Sequence, residues 1–567
     1  MSSANHDDFS ASQAWRLVLR ILKPEAGFIW IAIIYGLAVA LLGLATPVSV
    51  QLLINSVANT SLPTPLFVLS GLLLLLLLIA AGLSAARVYV MALFQRRAFA
   101  RIVAEITLRA VHSRNPHFDD ARRADLFNRF FDLVTVQKAV PSLLTGGFAI
   151  VLQSAIGLVL TSFYHPFFLA FNGLLIALLF LIWSLWVGPA VRSAVDVSHA
   201  KHETARWLES VGVSKGFYKN DRHLNFVMKR SEAMTSAYVR AHQRHFRNTF
   251  AQTLGFLLLY ALASAGLLAL GGWLILRNQL SLGQLVAAEL VLSKVFYGIS
   301  QLGRYLETYY ELVASVHELS LFYDIEQERD DGDRSIVGPV SGALRLRDVE
   351  AGPYRFELSV GSGEQLAVLA SGEAEQAVAA LLEGWARPRH GIVTIGGVDL
   401  DAFAIHRLRA DIQVLDRLSI AETTIREYLS LAEDEAGSAF LDSLELVGLS
   451  ERVSRLPAKL DTPLASSGSP LSPGEMLALK LAAVLIRPPK LLLLSTLYDL
   501  VPPDRLKIAL ESLRQSGTTV LHFTRRPRAL PYDGYLLMRT DEQVRFADID
   551  GLIERMKREG TNHALAA

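Results

Sequence analysis

The chain has 567 residues, 51% of them hydrophobic and 19% charged, with 55 basic against 54 acidic side chains. That length allows more than one domain, and a charged share below the ~25% of soluble domains turns the reading toward a membrane protein. A net charge of +1 gives no support for a nucleic-acid partner, and the absence of cysteine excludes disulfides, thiolate metal sites and thiol catalysis.

Met1–Gln13 is polar and of mixed charge, without the basic start and short apolar core of a secretory signal peptide. Apolar runs follow at Phe28–Val48, Leu66–Ala86, Leu143–Phe163, Phe167–Val187, Thr253–Leu276 and Leu282–Leu302. Each is close to the ~20 residues a helix needs to cross a bilayer, where the backbone must satisfy its own hydrogen bonds. Pro166 is a natural break between the third and fourth. Arginines crowd the stretch from Arg96 to Arg129, and lysines and arginines the stretch from Lys201 to Arg247, whereas Asn59–Pro65 and Tyr164–Pro166 hold none. Positive charge stays on the cytoplasmic side, so both termini are expected there. The two basic stretches are too long for turns and read as membrane helices continued into the cytosol. Asn172 and Gln153, polar residues within spans, suit hydrogen bonds between helices.

Beyond the last apolar run the texture changes. The charged stretch from Asp324 lacks an apolar face and reads as a linker. Strands are expected at Gln365–Leu369, Ile392–Ile395, Leu491–Leu494 and Thr518–Phe523, and helices at Glu375–Gly384 and Leu477–Ile486. Strands alternating with helices argue for an α/β domain with a largely parallel sheet. The expected division is 1–323 for the transmembrane domain, 324–337 for the linker, 338–557 for the α/β domain and 558–567 for a tail.

Short local sequences add to this layout. They are His117-Phe118-Asp119 with Ala124-Asp125-Leu126 and Arg129; Glu209, Gly212, Val213-Ser214-Lys215 and Phe217; and Leu282-Gly283-Gln284-Leu285-Val286-Ala287. In the second half they are Gly363-Glu364, His390-Gly391-Ile392-Val393-Thr394-Ile395-Gly396-Gly397, Leu408-Arg409 and Thr424-Ile425-Arg426-Glu427. In order and spacing the whole resembles a half-transporter of the ABC exporter type. The resemblance implies an α-helical six-span transmembrane domain followed by a cytosolic α/β domain of the RecA-like, P-loop type. It also implies that Asn115–Arg129 and Glu203–Asp221 transmit motion between the two.

The nucleotide motifs of that family are degenerate here. GxxxxGK[ST] wraps phosphates in backbone N–H groups, with Lys on the terminal phosphates and Ser/Thr on Mg²⁺. The matching stretch is Ala370-Ser371-Gly372-Glu373-Ala374-Glu375-Gln376-Ala377. Ala370 and Glu375 replace the glycines, Gln376 the lysine and Ala377 the magnesium hydroxyl. Two carboxylates thus stand where a polyanion would bind, and unit charges ~4 Å apart repel by ~4 kcal/mol at an effective dielectric near 20. After Leu491–Leu494, Ser495 and Thr496 replace the Asp and Glu that hold Mg²⁺ and activate water. Arg417 aligns with the glutamine loop, Arg525 with the switch histidine and Pro502 with a cross-dimer aspartate. His522 reads as structural. Tyr354 is at most a remnant of the adenine platform.

Leu471-Ser472-Pro473-Gly474-Glu475 resembles the LSGGQ signature, which caps ATP held by the partner subunit through the free N–H groups and positive end of a helix. The same residues also read as an ordinary capping box with proline at the first helical position. The resemblance therefore implies the non-catalytic half of a heterodimeric exporter, without ATPase activity alone. No cofactor is expected on this chain. Mg-ATP is expected at the site of a homologous half-transporter with intact motifs, with Ser472 and Gly474 turned toward it and Arg417 and Arg525 filling the empty site with positive charge. Glu289 and Lys294, ionisable groups in the sixth span, are candidates for the transport path, against pairing with other spans or snorkelling of Lys294. The expected location is a bacterial inner membrane. The alternative is a regulatory or scaffold membrane protein that keeps the fold without using nucleotide.

Overall fold

The computed structural model describes residues 11–60, 64–114, 127–328, 338–431 and 437–558. The chain divides into two compact units between Glu328 and Arg329. The fragments His117-Phe118-Asp119 and Ala124-Asp125-Leu126 lie outside the described residues, as do most of the linker and nearly all of the tail.

The first unit is helical. Its helices are α1 (Ala11–Leu22), α2 (Ala26–Leu42), α3 (Ala45–Thr60), α4 (Thr64–Val111), α5 (Asp132–Ser142), α6 (Phe148–Ser162), α7 (Pro166–Val213), α8 (Asp221–Leu276) and α9 (Leu282–Ser320). Six helical stretches are long and apolar enough to cross a membrane: Val18–Ile54, Leu66–Val111, Phe127–Ser162, Pro166–Val213, Asp221–Leu276 and Gly283–Ser320. Each apolar run of the sequence falls on one of them. No residue in the most apolar stretch of the second is buried within the chain. Such a surface, with Leu72, Leu74, Leu75 and Leu78 all exposed, calls for lipid rather than water. The protein is an integral multi-pass membrane protein.

Helices α4, α7 and α8 contain 48, 48 and 56 residues. At 1.5 Å per residue they reach roughly 70–85 Å, more than twice the ~30 Å hydrocarbon thickness. The basic stretches are therefore, as far as Val111 in the first and over Lys201–Val213 and Asp221–Arg247 in the second, continuations of membrane helices. The third span is interrupted by a π-helical turn at Leu143–Gly147 directly after Pro141, which has no N–H to donate to the regular ladder. Asn172 of α7 donates to Leu158 O at 3.0 Å, Thr161 Oγ1 at 3.0 Å and Ser162 Oγ at 2.9 Å, which ties α6 to α7.

At the basic ends of these helices lies a network that the apolar pattern did not announce. Asp132 of α5, 1% exposed, meets Lys201 Nζ at 2.6 Å and His202 Nε2 at 2.6 Å, both on α7. Glu318 of α9, 0% exposed, meets Arg129 and, at 3.1 Å, His199 Nδ1. Two buried carboxylates thus bind three elements. The expected linker also begins too early. Arg114 N–H donates to Glu326 O at 2.8 Å and Glu328 N–H to His112 O at 2.7 Å, so residues up to Glu328 belong to the helical unit.

The second unit holds two sheets. One is antiparallel, in the order β2 (Tyr354–Val360), β1 (Leu344–Ala351), β4 (Ile392–Ile395), β5 (Val398–Asp399). The other runs β10 (Gln543–Phe546), β9 (Gly534–Met538), β3 (Gln365–Leu369), β8 (Thr519–Phe523), β7 (Leu491–Leu494), β6 (Ile412–Leu415). It is parallel except at β10. The unbroken leucines of β7 explain its central place: Leu491 and Leu493 enter one core, Leu492 and Leu494 the other. Helices α10 (Gly372–Leu382), α11 (Ile405–Asp411), α12 (Ile425–Ser430), α13 (Gly437–Leu446), α14 (Ser450–Ser454), α15 (Pro473–Ile486), α16 (Pro503–Gln515) and α17 (Ile549–Arg558) complete the unit.

Candidate nucleotide site

A phosphate-binding loop would lie between β3 and α10. The sequence places the start of that helix at Glu375; it begins three residues earlier, at Gly372, so only Ala370 and Ser371 separate strand from helix. Ser371 is the N-cap, and its Oγ accepts from Ala374 N–H at 3.2 Å. The local reason is composition: glutamate, alanine and glutamine extend a helix where glycines would hold a loop open. N–H groups that a loop would turn toward phosphates are spent on helix, since Glu375 N–H donates to Ser371 O at 3.0 Å.

Glu375 does not face a ligand pocket. It is 9% exposed, and its carboxylate accepts from Thr496 Oγ1 at 2.8 Å and from Thr496 N–H at 3.3 Å. The start of α10 and the turn after β7 are thus bonded to each other. Burial pushes the Glu375 carboxyl above its usual range; the Thr496 bonds oppose this, as does Arg525 beyond them. Ser495, 1% exposed, caps the following turn by accepting from Leu497 N–H at 3.3 Å. Gln376 is exposed and Ala377 half-buried. Tyr354, 8% exposed, hydrogen-bonds Ser371 Oγ at 2.9 Å and donates to Glu373 Oε2 at 3.2 Å. Its hydroxyl is fastened to the N-cap and first turn of α10.

The two arginines differ in surroundings. The Arg417 guanidinium lies over the Trp385 ring at 4.5 Å and 3.6 Å from Asp416. Arg525 is exposed, and its backbone N–H donates to Asp499 Oδ2 at 2.9 Å. His522 is 1% exposed and hydrogen-bonded through Nδ1 to Tyr532 Oη at 2.7 Å. Burial pushes its pKa down to about 4, which keeps it neutral at pH 7.

Sequence reading missed the charged cluster around Arg417. Lys480 Nζ donates to Arg417 O at 2.6 Å. Burial pushes Glu383 up to about 8, with Asp416 adding to the effect and Arg417 and Arg409 opposing it. A carboxyl with a raised folded pKa stabilises the fold below its unfolded value, and that contribution is lost as pH rises through the folded one. Glu383→Gln should therefore melt with the parent near pH 4.5 and above it at pH 8, which thermal unfolding at both pH values checks. The signal available in sequence was a lone glutamate following the apolar Ala377–Leu382 stretch.

The N-terminus of α15 carries the signature-like residues. Ser472 is its N-cap, Pro473 follows, and Glu475 closes a capping box. Glu475 Oε2 accepts from Ser472 N–H at 2.8 Å, and its carboxylate also meets Arg452 Nε at 3.2 Å. A side chain at Gly474 would stand 3.0 Å from Leu500 O, so glycine is what allows this helix end to approach the 496–500 turn.

In the helical unit, Glu289 and Lys294 are both exposed. Ser293 Oγ donates to Glu289 Oε1 at 2.9 Å. Lys294 lines a cleft of about 420 Å³ between α6 and α9. The structure adds Arg87, a buried residue of α4 whose Nη2 donates to Thr145 O at 2.9 Å beside the π-helical turn.

Searched against models of known families, the chain matches none. It is 26% identical over 267 residues to the uncharacterized ABC transporter ATP-binding protein YwjA of Bacillus subtilis, covering 44% of this chain and 46% of that protein. It is 22% identical over 384 residues to the ATP-dependent lipid A-core flippase of Neisseria meningitidis, covering 62% and 61%. It is 22% identical to the ABC multidrug transporter mdr2 of Aspergillus fumigatus over 91% of this chain and 68% of the other. The chain spans about half to three fifths of the length of the first two. In fold it is similar to a bacterial Atm1-family ABC exporter solved with ATP bound, with TM-score 0.76, 19% identity and coverage of 96% and 99%. The chain is a homologue of ABC exporter half-transporters, with a membrane-spanning unit followed by the α/β unit of that fold.

Proposed function

We propose that this chain is the non-catalytic subunit of a heterodimeric ABC-type exporter, supplying half of the translocation path and a signature helix to ATP held by its partner. One observation carries the proposal: Glu375 is bonded to Thr496 where a phosphate loop and its acidic motif would grip Mg-ATP, whereas the α15 N-terminus keeps its serine and glycine. Residues that would serve this chain's own site are gone, while those that would serve a partner's are partly kept, with Pro502 in place of the cross-dimer aspartate. Ser472 and Gly474 then present the helix end to the γ-phosphate, where unsatisfied N–H groups and the helix dipole favour negative charge. Pro473 removes one such donor and the capping box uses the N–H groups of Ser472 and Glu475, which leaves the N–H of Gly474 to turn toward the phosphate. The partner is a homologous half-transporter with an intact GxxxxGK[ST] loop, and Mg-ATP binds there.

Both termini lie in the cytoplasm, because the basic residues of Arg96–Arg129 and Lys201–Arg247 follow the positive-inside bias. The membrane is the bacterial inner membrane. The test is purification with and without the partner. The pair should hydrolyse ATP and this chain alone should not. A chain that never co-purifies with such a partner would instead be the regulatory or scaffold protein of the alternative reading.

A further inference from the structure

We propose that the cleft between α6 and α9 receives the anionic head group of an amphiphile, with Lys294 as its counter-charge. The assignment presupposes the half-transporter function above and gives its substrate class.

Lys294 lies well inside the bilayer. At 1.5 Å per residue it stands roughly 18 Å from the N-terminal end of α9, near the middle of a ~30 Å hydrocarbon layer. A lysine side chain is too short to bring its ammonium to either interface from that depth, so snorkelling does not account for it. An intramembrane cation is costly unless it faces a cavity or a counter-charge. Lys294 is exposed and, among the described residues, makes no ion pair within the chain. What it faces is a cleft of about 420 Å³ whose other polar walls are Gln153, Ser154, Ser293 and Tyr297.

The walls define the ligand. Lys294 is the one ionisable aliphatic side chain lining the cleft. Glu289 lies outside the lining, a turn away, with its carboxylate accepting the Ser293 hydroxyl. The Ser154 hydroxyl, the Tyr297 phenol and the Gln153 amide beside an ammonium suit an oxyanion that accepts several hydrogen bonds, the Ser293 proton being already given to Glu289. Ile150 and Leu290 supply apolar wall beside them. The cleft lies between two helical stretches apolar and long enough to cross a bilayer, which suits a ligand whose tail remains in the hydrocarbon. A soluble anion would find the charge without a place for a tail.

The test uses the full chain in nanodiscs of neutral phosphatidylcholine. Trace photoreactive phosphatidylglycerol or phosphatidylcholine with identical acyl chains is added, and labelled peptides are mapped by mass spectrometry. Phosphatidylglycerol should label residues 150–154 and 290–298 about tenfold more than phosphatidylcholine does, one such factor being the scale of a single favourable ion contact. The Leu72–Leu78 surface should take both probes equally. Lys294→Gln should bring the cleft to parity, and Lys294→Arg should keep the preference. Equal labelling of the cleft by both probes, or a preference that survives Lys294→Gln, would overturn the proposal. Competition by excess inorganic phosphate would also overturn it, by moving the site to soluble anions. No partner and no ATP are needed, so failure here would remove the substrate class and leave the turnover test of the pair unaffected.

Discussion

Ser472→Arg should lower the ATP turnover of the proposed pair by about a hundredfold, the scale of losing one preorganised donor to developing negative charge. The serine begins α15, and its backbone and hydroxyl stand at the helix end that is to face a partner's γ-phosphate. Arginine also removes an N-cap, which costs ~1 kcal/mol of stability, so a folding defect could mimic the result. Ser472→Asp separates the two roles. Aspartate caps a helix as well as serine does, and the melting temperature should hold. It also places a negative charge against the phosphate, and turnover should still collapse. A Ser472→Asp pair that turns over normally would reduce the motif to a capping box.

Asp132→Ala should destabilise the helical unit by ~1–3 kcal/mol, because it leaves the buried His202 donor without its partner, whereas the half-exposed Lys201 returns to water. Asp132 is 1% exposed and holds both Lys201 and His202 at 2.6 Å. Its loss leaves the buried His202 without its partner and loosens α5 from α7, while the half-exposed Lys201 keeps solvent and the nearby Glu311. Asp132→Asn keeps the volume and part of the hydrogen bonding, so it should fall between parent and alanine. Thermal unfolding of the three proteins in nanodiscs measures the series. An alanine variant that melts with the parent would mean that apolar packing alone holds the two helices together.

The large features of this molecule are written in its sequence because they depend on quantities that sum over many residues. Six spans follow from run length, and the continued helices follow from basic stretches too long for any turn. The buried strand β7 follows from four consecutive leucines. The α10 start was misplaced by three residues for a reason that composition contains but motif alignment hides. Aligning Ala370–Ala377 to a glycine loop assumes that a loop remains, whereas Ser371 followed by helix-forming residues caps a helix at once. The bond between Glu375 and Thr496 joins residues far apart in the chain, and no local pattern marks it. The same holds for Asp132 with His202 and for Glu318 with Arg129, where isolated charges in helical stretches look like solvated faces until the helices are packed. The placement of Arg417 on Trp385 likewise needed the fold. Asn172 was legible, since an amide in an apolar span has few uses besides bonding a neighbouring helix.

The central claim is that this polypeptide has lost the means to grip a magnesium nucleotide. Photolabelling of the purified chain with an azido-ATP analogue in the presence of Mg²⁺, alone and then with its partner, tests it directly. The labelled peptides should come from the partner's phosphate loop, with none from the 370–377 or 491–496 segments of this chain. Stoichiometric label on those segments, with magnesium required for it, would contradict the account.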